Sequence, residues 1–191
     1  TTSYLVPSST QCRQCHVLSN VTTLIGPKAR NLNRDFAYST GTENQLAHWT
    51  SLGLLTGAPA PSAAPKLAVW NDPSTGTVDA RARAYLETNC AHCHNAGGEA
   101  RTTGLFLLTS ETDPAVYGVC KQPVAAGPGS GGHTYDIVPG DPDNSILPFR
   151  MTSTQAGILM PQIGRSVEDK AGVALVRDWI TGIAAGTSTC H

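Results

Sequence analysis

Apolar positions recur at helical spacing in a few stretches of this chain and dissolve into Gly, Pro, Ser and Thr between them. The clearest stripe is Val173, Val176, Ile180 and Ile183, with Trp179 beside it. Ser166 followed three residues later by Asp169 predicts a capping-box-like start for that last helix. The Ala-rich segment Asp79 to Asn89 predicts a second helix, with Ala82, Tyr85, Leu86 and Asn89 on one face. Thr42 is expected to cap a helix from Glu43 to about Leu52, stopped by Gly53. In it His48, Leu52 and Leu55 fall at i, i+4 and i+7, which places a histidine on an apolar stripe. Ser145 is expected to cap a short helix from Ile146 to Met151, held to a turn or two by Pro148.

The rest reads as connection. Residues 1–11 are Ser/Thr-rich with Pro7 and are expected to be extended. Ile25-Gly26-Pro27 is a turn, and Ala29 to Phe36 a short helix or loop. The Pro/Ala run from Gly57 to Pro65 is a stiff connector and sets a boundary between a region 1–66 and a domain 67–191. Loops fill Thr103 to Tyr135, including the Gly-rich run Gly127 to Gly132. Pro139 to Asn144 is a rigid turn, and Met160-Pro161 lies in an extended loop.

Composition narrows the classes. The 13 Lys+Arg nearly balance 14 Asp+Glu, so no basic face advertises nucleic acid or anionic lipid. Only 40% of the 191 residues are hydrophobic and 6% aromatic, against 19 Gly and 13 Pro, so an unaided core would be thin. No basic-then-apolar leader is present, and no apolar run approaches the roughly 18 residues of a membrane helix, so no membrane span is expected.

Six cysteines change the picture. Four form Cys12-Arg13-Gln14-Cys15-His16 and Cys90-Ala91-His92-Cys93-His94, two copies of C-x-x-C-H. On one helical turn the paired thiols project to the same side and can add to the two vinyl groups of a porphyrin. The histidine that follows then lies under the iron as proximal ligand. A zinc site built from both pairs would have to close a 74-residue gap, far beyond the usual finger or ribbon spacing. A redox C-x-x-C expects a strand before it, whereas a helix precedes Cys90. Disulfides within each motif would leave both histidines unexplained. Two covalently attached haem c groups are therefore expected, on Cys12, Cys15, Cys90 and Cys93, with His16 and His94 on the irons. Each haem would also supply an apolar plate for a thin scaffold to pack around.

The order helix, C-x-x-C-H, long loop, Met160-Pro161, terminal helix resembles class I cytochromes c. That resemblance implies His94 as proximal and Met160 as distal ligand of the second haem, with Met151 the fallback. It also implies a mainly α fold of cytochrome c-like helices and long loops packed around two covalent haems. The first haem departs from this pattern, since its region has no methionine. His48 is the best intrachain distal candidate; Met151, a partner chain or an open position are the others. His92 lies inside a motif, His133 in the Gly-rich loop and His191 at the chain end. More widely, Asn31 to Phe36, Asn44-Gln45-Leu46, Leu52 to Leu55 and Ala80 to Leu86 carry a second resemblance. With Pro139 to Pro142, Arg150-Met151, Met160-Pro161, Gly164 and Gly172 to Leu175, they resemble the C-terminal dihaem region of a family of secreted bacterial haem proteins. It implies a periplasmic or extracellular bacterial location, where Cys120 and Cys190 would be joined by a disulfide rather than left as two thiols.

Two functions follow. The first is electron transfer between redox protein partners, or between copies of this chain in a larger haem assembly or filament. The alternative is a dihaem peroxidase or oxidase with one open iron, for which Glu43, Gln45 and His48 are the candidates for moving protons.

Overall fold

The computed structural model describes residues 4, 6–184 and 190. His191 lies outside the described residues. The first helix, α1 (Ser9–Cys15), begins where an extended segment is expected. Ser8 caps it in a capping box: its hydroxyl accepts from the Gln11 N–H, and the Gln11 side chain accepts from the Ser8 N–H. The hairpin β1 (Val17–Leu18) and β2 (Val21–Thr22) follows. Its turn residues Ser19 and Asn20 both have positive φ, 49° and 66°, the backbone signature of a tight primed turn.

After α2 (Ala29–Leu32) comes a second antiparallel hairpin, β3 (Asp35–Tyr38) with β4 (Gly41–Asn44). It claims residues expected to open a helix, so α3 (Gln45–Ser51) starts later. Its cap is Asn44, not Thr42, with the Asn44 side-chain oxygen Oδ1 accepting from the N–H groups of Leu46 and Ala47. The expected apolar stripe does not form: α3 ends before Leu52, which is exposed, and Leu46 is the buried residue of this helix.

The two long helices are α4 (Val78–Asn89), capped by Thr77, and α6 (Lys170–Gly182), capped by Asp169. The last helix thus begins four residues beyond Ser166, because the Asp169 carboxylate takes the Gly172 N–H. A Cβ at Gly172 would stand 2.3 Å from the Tyr85 ring, so this glycine lets α6 lie close against α4. Tyr85 is fixed there by donating its hydroxyl to Asp169 (3.0 Å). Between the long helices stands α5 (Ile146–Thr152). Ser145 precedes it but does not cap it, since its hydroxyl accepts from the Val138 N–H and donates to the Asp141 carbonyl.

The core lies between Ala82 and Ile180: Leu86, Leu107, Tyr117, Ile137, Val176 and Ile180 are among its most buried members. Before it, among the described residues up to Lys66, Leu46 and Asn33 are the buried ones. Asn33 gathers this region, donating its amide to the carbonyls of Pro61 and Ala64 (2.8 and 3.0 Å) and accepting from the Asn44 amide. The link to α4 is electrostatic, through Lys28 and Arg30 on the carboxylate of buried Glu87.

The expectation of a mainly α, cytochrome c-like fold is corrected. Among the described residues 33% are helical and 9% are in strands or bridges; they include six α-helices, three short 3-10 turns and two small hairpins. Four of those helices span seven residues or fewer. The physical reason is the punctuation: closely spaced Gly and Pro cut helices short, and the segments between them close as tight hairpins or loops. No helix among the described residues is long and apolar enough to cross a membrane.

Candidate haem attachment sites

Both C-x-x-C-H segments fold into the same local shape. In the first, α1 carries Cys12 and Cys15 one turn apart, and the His16 N–H donates to the Cys12 carbonyl at 3.0 Å. In the second, Cys90 caps α4, and the His94 N–H donates to the Cys90 carbonyl, also at 3.0 Å. Each segment is one helical turn, so each pair of thiols stands on one side of its turn with a histidine just beyond.

Around the second motif lies a cavity of about 380 Å3, a size typical of cofactor sites. Cys90, Cys93 and His94 enter it from one stretch of chain, Met151 and Met160 from another, and Leu105, Leu107 and Leu147 line it. His94 Nδ1 lies 3.2 Å from the Leu105 carbonyl oxygen. A carbonyl only accepts, so Nδ1 carries the proton and Nε2 keeps its lone pair for a metal. Burial lowers the His94 pKa, holding the ring neutral as a ligand must be. Met160 is held by its N–H on the Arg150 carbonyl (2.9 Å), and Arg165 braces the same turn through the carbonyls of Arg150 and Ser153. Met151 also reaches the cavity but is packed into the core.

A charged corner completes that cavity. Lys121 Nζ lies 3.3 Å from Asp136, and the Arg150 guanidinium donates to the Ile158 carbonyl. Burial raises the Asp136 pKa against the opposing pull of Lys121.

Neither thiol of the second motif is poised as a nucleophile. Burial pushes the Cys90 thiol up to about 12, and burial together with the neighbouring Cys15 pushes Cys93 up to about 12. A disulfide oxidoreductase needs the reverse shift.

The first motif is more open. Cys12 is exposed, and Val6, Leu18, Val21 and Leu24 near it in sequence are exposed large apolar side chains. A second cavity, about 800 Å3, lies beside Pro27, Lys28, Asn31, Trp70 and His92. His48 lines neither cavity. Its Nδ1 is 2.8 Å from Glu43 and its ring stacks on Tyr38 at 3.7 Å. Gln45 donates its amide to the Leu32 carbonyl. His133 packs edge-on against Phe149.

The fold brings the two motifs together, which sequence spacing does not anticipate. Cys15 Sγ and Cys93 Sγ are 3.9 Å apart, and a His92 ring nitrogen joins them within 4.8 Å. The 74-residue gap is therefore no bar to a joint metal site. That group, however, holds three donors, one short of what a structural zinc takes. Leu105 is a site residue that side-chain chemistry misses, because it meets His94 through its backbone carbonyl. Cys120 and Cys190 are bonded, with sulfurs 2.05 Å apart. The chain matches no family model, and neither a curated protein nor a solved structure is similar to it.

Proposed function

We propose that this chain is a dihaem c-type cytochrome that carries electrons between redox partners outside the cytoplasm. The observation that carries the reading is His94: its Nδ1 is tied to a backbone carbonyl beside a cavity into which two thiols and a thioether also reach. Cys90 and Cys93 would hold the porphyrin through thioethers, His94 Nε2 and the Met160 sulfur would ligate the iron, and Lys121 and Arg150 offer cations to the two propionates. Cys12, Cys15 and His16 would do the same for the first group. Its plate would cover apolar side chains that otherwise face water, as a region with so few buried residues requires. When bound, haem c supplies a one-electron ferric/ferrous couple, and a soft thioether ligand favours the ferrous state. The protein's part is to fix the ligands, shield them from water and keep an edge accessible. The Cys120–Cys190 bond suits an oxidising compartment. For the first iron the distal position would belong to His48, Met151, a partner chain or an open site.

The peroxidase alternative draws less support, because Glu43 and His48 are engaged with each other and line neither cavity. A second reading, a soft metal bound by Cys15, His92 and Cys93, has the geometry of those three donors behind it. It leaves Cys12, Cys90, His16 and His94 without a role.

Intact-mass measurement on acid-acetone-washed protein from a host with haem-attachment machinery separates these readings. The expected mass is that of the polypeptide plus two haems. A colourless protein with the bare peptide mass defeats the proposal, and stoichiometric zinc in the native, unwashed form of that protein establishes the metal reading. A high-spin ferric EPR signal from one of two haems would move the function to the peroxidase.

A further inference from the structure

We propose that Cys15 and Cys93 place the two redox groups in direct contact, so that they work as one coupled two-electron unit rather than as two separate carriers. The inference rests on the dihaem reading and adds to it how the two groups are arranged.

Four observations carry it. The sulfurs that would become thioethers on different porphyrins are 3.9 Å apart, which is van der Waals contact. Gln14 and Cys15, of the first motif, form part of the wall of the cavity that receives the second group. The Cys93 sulfur lies 3.8 Å from the Gln14 carbonyl oxygen, so the contact involves backbone as well as side chain. Finally, the hairpin after the first motif is fastened to the loop after the second: the Ser19 N–H donates to the Gly97 carbonyl at 2.9 Å. A Cβ at Gly97 would stand 2.8 Å from both the Leu18 side chain and the Ser19 hydroxyl. The two motifs touch directly, the segments that follow them touch again, and a glycine permits the second contact.

A contact of this kind has a defined redox meaning. With groups held on Cys12/Cys15 and Cys90/Cys93, an external one-electron donor would reduce one iron from ferric to ferrous. Exchange across the Cys15–Cys93 contact would oxidise that iron as it reduced its neighbour, with no bond made or broken. Two electrons fill the unit, and the two one-electron steps belong to the pair rather than to either site, as for any strongly interacting titration.

The test is Soret circular dichroism and ferric EPR on the haem-loaded wild-type protein, with haem counted by mass. Contact predicts a bisignate Soret couplet, or EPR signals broadened in the oxidised protein that sharpen at half reduction. Gly97→Val should wedge the hairpin away and weaken that signature severalfold while two haems remain attached. Two attached haems with a single-signed Soret band and uncoupled EPR signals in the wild type overturn the contact and leave the cytochrome reading standing. A mass equal to the bare peptide overturns the cytochrome reading itself.

Discussion

Met160 and Met151 face the same cavity, yet their surroundings differ in a way that decides between them. Met151 is 7% exposed and packed among core side chains, where it fills volume. Met160 sits on a loop held by backbone bonds to Arg150, which fixes where the chain runs and leaves the thioether free to turn toward the cavity. Met160→Ala is therefore expected to keep both haems, since the thioethers on Cys90 and Cys93 remain. It should lose the weak far-red thioether-to-ferric-iron band and lower one potential by a sizeable part of the roughly 0.8 V that axial ligands span. Met151→Leu should leave both features in place and cost less than about 1.5 kcal/mol of stability. Optical spectra and a redox titration of the two variants check this, and loss of the band in Met151→Leu would exchange their roles. His94 could be picked out from sequence because its neighbours Cys90 and Cys93 declare it. Its partner Leu105 could not, because a carbonyl oxygen is common to every residue and the fold alone decides which one a histidine meets.

Among the elements, α2 and α4 are joined through one carboxylate. Burial by itself would raise the Glu87 pKa, but the Thr109 hydroxyl and N–H and the Arg30 guanidinium outweigh it and hold the carboxyl below the usual range. The folded pKa is thus lower than the unfolded one, so the stabilisation is complete above the ordinary carboxylate range. It drains away as the pH falls through that range toward the folded value. Glu87→Gln should cost about 1–3 kcal/mol at neutral pH, and thermal melts should show the gap to wild type closing below about pH 4. A gap that stays constant down to the acid limit would show that shape, not charge, makes the joint. At this scale the sequence speaks unevenly. α4 and α6 are readable because long Ala-rich or apolar-periodic runs outweigh any local alternative. The hairpin of β3 and β4 is not, because Asn33 and Asn44 serve a tertiary purpose there: one collects carbonyls from a connector almost thirty residues away (Pro61 lies 28 positions from Asn33), and the other caps α3. The meeting of Cys15 with Cys93, 78 positions apart, leaves no local trace at all.

For the whole molecule, stability is divided unequally. The packed core and the Cys120–Cys190 bond both belong to the part beyond Lys66, whereas the part before it relies on Asn33, on Glu87 and on whatever its first motif carries. The bond spans 70 positions, so in the chain-entropy account it removes about 4 kcal/mol of disorder from the unfolded state. It ties Cys190 to a loop that the Cys120 N–H fastens to the carbonyl of Ile137, a fully buried core residue. Thioethers do not exchange with thiols, so a mild dithiol reductant should open this bond while leaving both haems attached. With the irons fully ferrous in both samples, the expected result is a drop of about 4 kcal/mol in the unfolding free energy measured in urea, with the ferrous haem spectrum before the transition unchanged. A reduced protein that unfolds at the same urea concentration would mean that the loop between Cys120 and Cys190 is already ordered in the unfolded ensemble. A ferrous spectrum that differs between the bonded and the opened protein would mean that the bond positions Met160, and that the iron's ligands and the scaffold's stability share one constraint.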